Sequence, residues 1–167
     1  MRFEKVEFWA FRKDMLQCGW SEECIMDAYE NVRLPQRKTA QAAGYDFFTP
    51  IGFTLHPKHK IMIPTGIKIY FNEAESKVYH LSLYVRSSIG IKKDVVLSNG
   101  TGIIDGDYYG NPDNDGDMLM AFYNRGNNYI RFEAGDRLMQ GVVELHGRIE
   151  GDDVQEQRRG GVGSTNG

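Results

Sequence analysis

The punctuation of this chain constrains its fold more than any other feature. Beyond Pro35, apolar runs are short, and clusters of Gly, Asn, Asp and Pro interrupt them at close intervals. Residues 61–71 (IMIPTGIKIYF) and 78–85 (VYHLSLYV) are rich in β-branched and aromatic side chains. In the second run, alternation puts Tyr79, Leu81, Leu83 and Val85 on one face and His80 on the other. A histidine so placed is more often a surface or packed residue than a ligand. Residues 118–124, 129–133 and 137–145 read as further strands, and Phe3, Val6 and Phe8 suggest a short one within 1–9. Many short strands with turn residues between them predict an all-β barrel or jelly roll.

One segment, residues 11–33, has a different texture. Ser21 suits an N-cap, and Glu22 and Glu23 fall in the first turn, where the helix dipole favours anions. Cys24, Ile25, Ala28, Tyr29 and Val32 then recur at helical spacing, predicting a helix over 21–32 whose apolar stripe packs on the barrel. The 167 residues fit a single domain. The formal net charge is −3 and no Lys/Arg run exceeds two residues, so nucleic-acid backbone has no platform to bind. No stretch approaches the ~18 apolar residues of a membrane span. The start, Met1–Lys5, lacks the apolar core of a signal peptide, and Cys18 and Cys24 are not in a metal spacing. These features point to a cytoplasmic protein with reduced thiols.

Five blocks carry chemistry. The most distinctive is Asn99-Gly100-Thr101-Gly102-Ile103-Ile104-Asp105-Gly106-Asp107-Tyr108-Tyr109-Gly110. Its glycines permit a tight hairpin that sets an amide, two carboxylates and two rings beside a flat ligand. Arg86-Ser87-Ser88 ends a strong strand with a cation and two hydroxyls suited to phosphate. Gly135-Asp136-Arg137-Leu138-Met139-Gln140 enters a strand after a turn, where Asp136 and Arg137 can pair. Arg159-Gly160-Gly161-Val162-Gly163-Ser164-Thr165 has neither the Lys nor the following helix of a phosphate-binding P-loop, yet can fold over an anion as a lid. Asn111-Pro112-Asp113-Asn114-Asp115-Gly116 imitates half a calcium loop. Phe122 stands where the bidentate Glu belongs, so this run reads as a polar turn.

Taken in order, Ala43-Gly44-Tyr45-Asp46, Arg86-Ser87-Ser88, Asn99 to Gly110, Gly135 to Gln140 and Arg159 to Thr165 resemble the five motifs of the trimeric deoxyuridine triphosphatases (dUTPases) of bacterial and phage type. Segment 11–33 is no part of that common core and reads as a helical insertion. The resemblance implies a jelly-roll (β-clip) domain over 1–167, a homotrimer with active sites at subunit interfaces, and a flexible arm over 157–167. It implies hydrolysis of dUTP to dUMP and pyrophosphate. Mg²⁺ would be held mainly by substrate phosphates and water, with no direct protein ligand.

Carried over by position, Asp105 is the base that activates water. Asn99, Gly102, Ile103 and Ile104 read uracil, and Tyr108 packs on the deoxyribose. Arg86, Ser87, Ser88 and Gln140 serve the phosphates, and Asp46 supports them. Arg159, Val162, Gly163, Ser164 and Thr165 close the arm. Many relatives carry Phe where Val162 stands, and Val162 covers a base without aromatic stacking. Two rivals share the fold. A dCTP deaminase wants a glutamate within 117–124, and this chain has none there. A regulatory protein on the same scaffold has no need of Asp105.

Overall fold

The computed structural model describes residues 1–154 together with Glu156, Arg158 and Gly160. The all-β architecture expected from the punctuation holds, and every strand pair is antiparallel. β1 (Arg2–Lys5) is followed by helices α1 (Phe8–Gln17) and α2 (Glu22–Glu30). Then come β2 (Tyr45–Phe48), β3 (Phe53–Leu55), β4 (Lys60–Pro64), β5 (Ile67–Tyr70), the short α3 (Glu73–Ser76) and β6 (Tyr79–Val85). The chain continues through α4 (Ser87–Lys93), β7 (Val95–Leu97), β8 (Gly102–Ile104) and a 3-10 turn at Gly106–Tyr108. β9 (Leu119–Asn124), β10 (Ile130–Phe132) and β11 (Arg137–Leu145) complete it. The sheets run β2-β11-β6-β8, β4-β9-β7, β1-β5 and β10-β3.

Alternation, interrupted by a register shift between Arg137 and Met139 of β11, decides which side chains turn inward. Leu81 and Leu83 of β6, Met120 and Phe122 of β9, and Leu138 and Met139 of β11 are buried, and Phe47, Leu55 and Ile63 complete the barrel interior. His80 is packed rather than exposed: its Nε2 lies 3.1 Å from Ser82 Oγ and its ring faces His146. Cys18 and Cys24 are both free.

Several expectations need correction. The N-terminal strand ends at Lys5, and Phe8, expected to close a strand, opens α1. Segment 11–33 therefore holds most of one helix as well as the expected second. Both helices feed the core, with Ala10, Phe11 and Met15 fully buried from α1, and Ile25 and Ala28 buried from α2. Ser21 occupies the N-cap position of α2 with extended backbone, but its side chain makes no capping bond. The run 61–71 is two strands rather than one. The chain kinks at Thr65-Gly66 as it passes from the sheet of β4 to that of β5, and Gly66 sits at φ +69° against the helical layer. Its amide donates to the buried Asp117 carboxylate at 2.8 Å.

A side chain at residue 66 would be strained by backbone and by space at once. A Cβ there would lie 2.6 Å from Val32 Cγ2 and 3.2 Å from Phe11 Cδ2. Gly66→Ala is expected to lower the thermal midpoint by roughly 4–8 °C, read by calorimetry. An unchanged midpoint would mean that the helical layer is not tightly seated on the barrel.

Candidate active site

Two clusters of predicted residues form on this chain. The first surrounds the end of β6. β11 pairs with β6 along seven residues, from Met139↔Val85 to Leu145↔Tyr79, and with β2 on its other side. That register brings Asp46, Arg86, Ser87 and Gln140 to one cavity of about 380 Å³, which Lys38, Gly44 and Val142 help to line. Gly44 permits the arrangement, because a Cβ there would meet Gln140 Oε1 at 2.8 Å. Asp46 is nearly buried and holds two cations, Arg86 Nε at 2.8 Å and Arg137 Nη1 at 3.0 Å. It thereby holds the Arg86 guanidinium at the cavity wall.

The sequence suggests that Arg137 pairs with its neighbour Asp136; it pairs instead with Asp46. Asp136 instead accepts the Glu133 N–H at 2.9 Å. The expected strand end at Arg86-Ser87-Ser88 is also a helix start: Arg86 is the N-cap of α4 and the two serines open it. Ser87 faces the main cavity, whereas Ser88 lines a separate one of about 240 Å³ with Lys93, Asp136 and Arg137.

The second cluster lies in the glycine-rich block. It does not form the self-paired hairpin expected from sequence. β7, before it, pairs with β9, whereas β8, within it, pairs with β6 through Leu81↔Ile104, Ser82↔Ile103 and Leu83↔Gly102. The block is a bridge between two sheets, with Gly100 at φ +75° making the turn and Ile103 left 53% exposed. Asp105 follows β8, its side chain 49% exposed. Arg158 reaches both carboxylates of the block, with Nη2 2.7 Å from Asp105 Oδ2 and Nε 3.1 Å from Asp107 Oδ1. Its guanidinium also lies 5.5 Å from the centre of the Tyr108 ring. Sequence reasoning missed this arginine by one position. Arg159, Val162, Gly163, Ser164 and Thr165, the expected arm residues, lie outside the described residues. Tyr109 turns away from the site and donates its hydroxyl to Glu4 on β1 at 2.7 Å.

Tyr108 is buried. Its hydroxyl donates to the Asp117 carbonyl at 2.8 Å and accepts from Asn114 Nδ2 at 3.0 Å, and burial pushes its phenol up to about 12. Beneath it are two buried carboxyls. Burial raises Asp117 well above the ordinary carboxylate range, with Asp14 adding like charge, and Asp117 Oδ2 has no hydrogen-bond partner among the described residues. Asp14 of α1 accepts from Asn114 Nδ2 at 3.0 Å. Burial outweighs that bond and the nearby Lys13, and Asp113 adds like charge, so the Asp14 carboxyl is pushed up to about 6. The polar turn read at 111–116 is thus a buried hydrogen-bonded knot, with Asn111 and Asn114 both nearly inaccessible.

Among the described residues, no group of three or more His, Cys, Asp or Glu side chains converges to hold a metal ion. Both Asp46 oxygens are engaged by arginines, which leaves that carboxylate no open coordination edge. None of the described helices is long and apolar enough to cross a membrane.

A strand-built barrel with a cationic, hydroxyl-lined cavity and a separate carboxylate on a glycine-rich bridge defines a class: a barrel that handles phosphorylated ligands. Comparison with known proteins narrows the class. A dUTPase family model matches residues 30–166, and the chain belongs to the dUTPase family. The deoxyuridine 5'-triphosphate nucleotidohydrolase of Lactococcus lactis subsp. lactis (strain IL1403) is 39% identical over 145 residues, 84% of this chain and 94% of that protein. The same-named protein of Mannheimia succiniciproducens is 36% identical, covering 79% and 86%. The crystal structure of dUTPase from Streptococcus mutans superposes with a TM-score of 0.69 at 33% identity, covering 90% of this chain and all of that one. The dUTPase of S. aureus phage phi11 shares the fold, with a TM-score of 0.62 at 24% identity and coverage of 76% and 92%. A mutant of that phage enzyme is described with a coordinated structural Mg(II) ion.

The Asp14 carboxyl gives a pH test. In the unfolded chain it ionises near the ordinary value of 3.8, and in the fold at about 6. Ionisation therefore costs more in the folded state, and this group withdraws stability as pH rises between those values. Asp14→Asn removes that cost. The variant's thermal midpoint is expected to match the parent's near pH 4 and to exceed it by about 5 °C at pH 8. A gap that stays constant with pH would show that Asp14 ionises as an ordinary carboxylate.

Proposed function

We propose that this chain hydrolyses dUTP to dUMP and pyrophosphate, with Asp105 as the base. The observation that carries the reading is the Asp105 carboxylate: half-exposed at the end of β8, next to a buried tyrosine, and reached by an arginine of the arm. A carboxylate oxygen can take a proton from a water that it orients. As the water oxygen bonds to the α-phosphorus, its proton passes to Asp105. The bond from that phosphorus to the bridging oxygen breaks, and pyrophosphate leaves.

The β6 end serves the phosphates. Ser87 and the Ser88 N–H hold the triphosphate, Gln140 adds a contact, and Arg86, braced by Asp46, supplies positive charge. Mg²⁺, when bound with the substrate phosphates, would supply charge neutralisation at the leaving group. Asn99 and the backbone of Gly102, Ile103 and Ile104 read the uracil edge, where a 5-methyl clashes and a 4-amino mispairs. Tyr108 packs on the deoxyribose and leaves no room for a 2′-hydroxyl. Arg158 and the arm residues Arg159, Val162, Gly163, Ser164 and Thr165 close over the phosphates.

The residues lining the phosphate cavity include none from 99–108. This supports a homotrimer in which the cavity of one copy meets the glycine-rich bridge of another.

Pyrophosphate release across dUTP and the eight common nucleoside triphosphates is expected for dUTP alone, and comparable release from dTTP or UTP would overturn the assignment. Asp105→Asn is expected to lower kcat by about 10³-fold while retaining dUTP binding by calorimetry. Near-parental turnover would remove Asp105 from the mechanism. Deleting residues 157–167 is expected to lower kcat by about 100-fold, and an unaltered kcat would reduce the arm to a tail.

A further inference from the structure

We propose that helix α1 sets the sugar discrimination of this enzyme, with Asp14 as a positioning residue for Tyr108. The inference rests on the reading of Tyr108 as the deoxyribose platform. It is carried by a row of contacts. Three successive residues of the loop after Tyr108 are each tied to the N-terminal segment. Lys13 Nζ donates to the Asp113 carbonyl at 2.7 Å and pairs with its carboxylate. Asn114 Nδ2 donates to Asp14 Oδ2 at 3.0 Å. Asp115 Oδ2 accepts the Glu7 N–H at 2.8 Å and also Lys68 Nζ at 2.7 Å. A loop tied at three consecutive positions to one segment moves only with that segment.

The middle tie reaches the site. Asn114 Nδ2 lies within 3.1 Å of Asp14 Oδ2, Tyr108 Oη and the Asp117 carbonyl, and Asn114 Oδ1 accepts from Asn111 Nδ2 at 2.8 Å. Asp14 thereby orients the Asn114 amide, and the amide and the Asp117 carbonyl together fix the Tyr108 hydroxyl from two directions. A phenol so held leaves its ring one plane. A ring that excludes a 2′-hydroxyl by contact must not tilt, because a shift of a few tenths of an ångström reopens the space. Asp14, Asn114 and the Tyr108 hydroxyl are all buried, so water does not replace a lost partner readily. Helix α1 lies before the family match, which starts at residue 30, so this bracing comes from a part of the chain that the match does not include.

The test is the ratio of kcat/KM for dUTP to that for UTP, measured on the full chain well below its melting midpoint. Asp14→Ala is expected to lower the ratio about tenfold, through a raised KM for dUTP and a gain in UTP turnover, with kcat for dUTP within about twofold of the parent. Asp14→Asn keeps an oxygen acceptor for Asn114 and is expected to restore the ratio. Tyr108→Phe removes the anchored hydroxyl and is expected to reproduce the loss, and the Asp14→Ala, Tyr108→Phe double variant to add nothing further. Lys13→Ala, an exposed change that spares the core, is expected to lower the ratio about threefold even where Asp14→Ala folds poorly. Additive losses in the double variant, or an unchanged ratio in both Asp14→Ala and Lys13→Ala while Tyr108→Ala collapses it, would overturn the inference alone. An unchanged ratio in Tyr108→Ala would overturn the role of the ring on which it rests.

Discussion

Strand β6 is the element on which every functional segment is registered. It is the one strand with β11 along one edge and β8 along the other, and it runs without a linker into Arg86-Ser87-Ser88. Because side chains alternate with period two, a slip of one residue would exchange its buried and outer faces. The interior fixes that choice: Leu81 and Leu83 are buried to within 2%. With the register fixed, Tyr84 lies opposite Gln140, and Ser82 opposite Ile103. The cationic cavity and the glycine-rich bridge are therefore two consequences of one set of buried leucines.

Charge is handled differently in the two clusters. In the cavity, one carboxylate sits between two arginines, and Asp46 is buried enough that the removal of either partner would leave charge exposed to a low-dielectric wall. On the bridge the count is inverted, one arginine between two carboxylates, and the carboxylates are the more open to solvent. An exposed pair of that kind contributes little to stability and exchanges partners readily. The first arrangement suits a fixed scaffold for phosphates. The second suits a base that must be shielded until a substrate arrives and then released to act on water.

Much of this was legible in the chain. The span of β11 matches the 137–145 run residue for residue, and α2 lies within the helix read over 21–32. Periodicity failed where tertiary contacts decided. Thr65-Gly66 sits inside an apolar run that reads as continuous, yet the run changes partner there from β9 to β1, at a point where a side chain would meet Val32 and Phe11. The glycine-rich block carries every mark of a hairpin, yet its arms find partners in different sheets, information that turn residues do not encode. β2, β3 and β7 are three or four residues long, too short for alternation to register. Helix α1 was hidden by Phe3, Val6 and Phe8, whose spacing fits a strand as well as a helix entry.

Asp14 shows what a closer reading of α1 offers. Ala10, Phe11, Asp14 and Met15 share one helical face, and the other three are apolar and fully buried. An acidic residue at such a position costs stability unless a partner is waiting, so its presence announces a buried polar group on whatever the helix covers. The partner is Asn114, in a run that reads as an ordinary solvated turn because Asn, Asp and Gly dominate turns. The two oddities explain one another: an acid in an apolar stripe and a polar loop turned inward. Neither is interpretable alone, and together they tie a helix at the start of the chain to the tyrosine of the glycine-rich block.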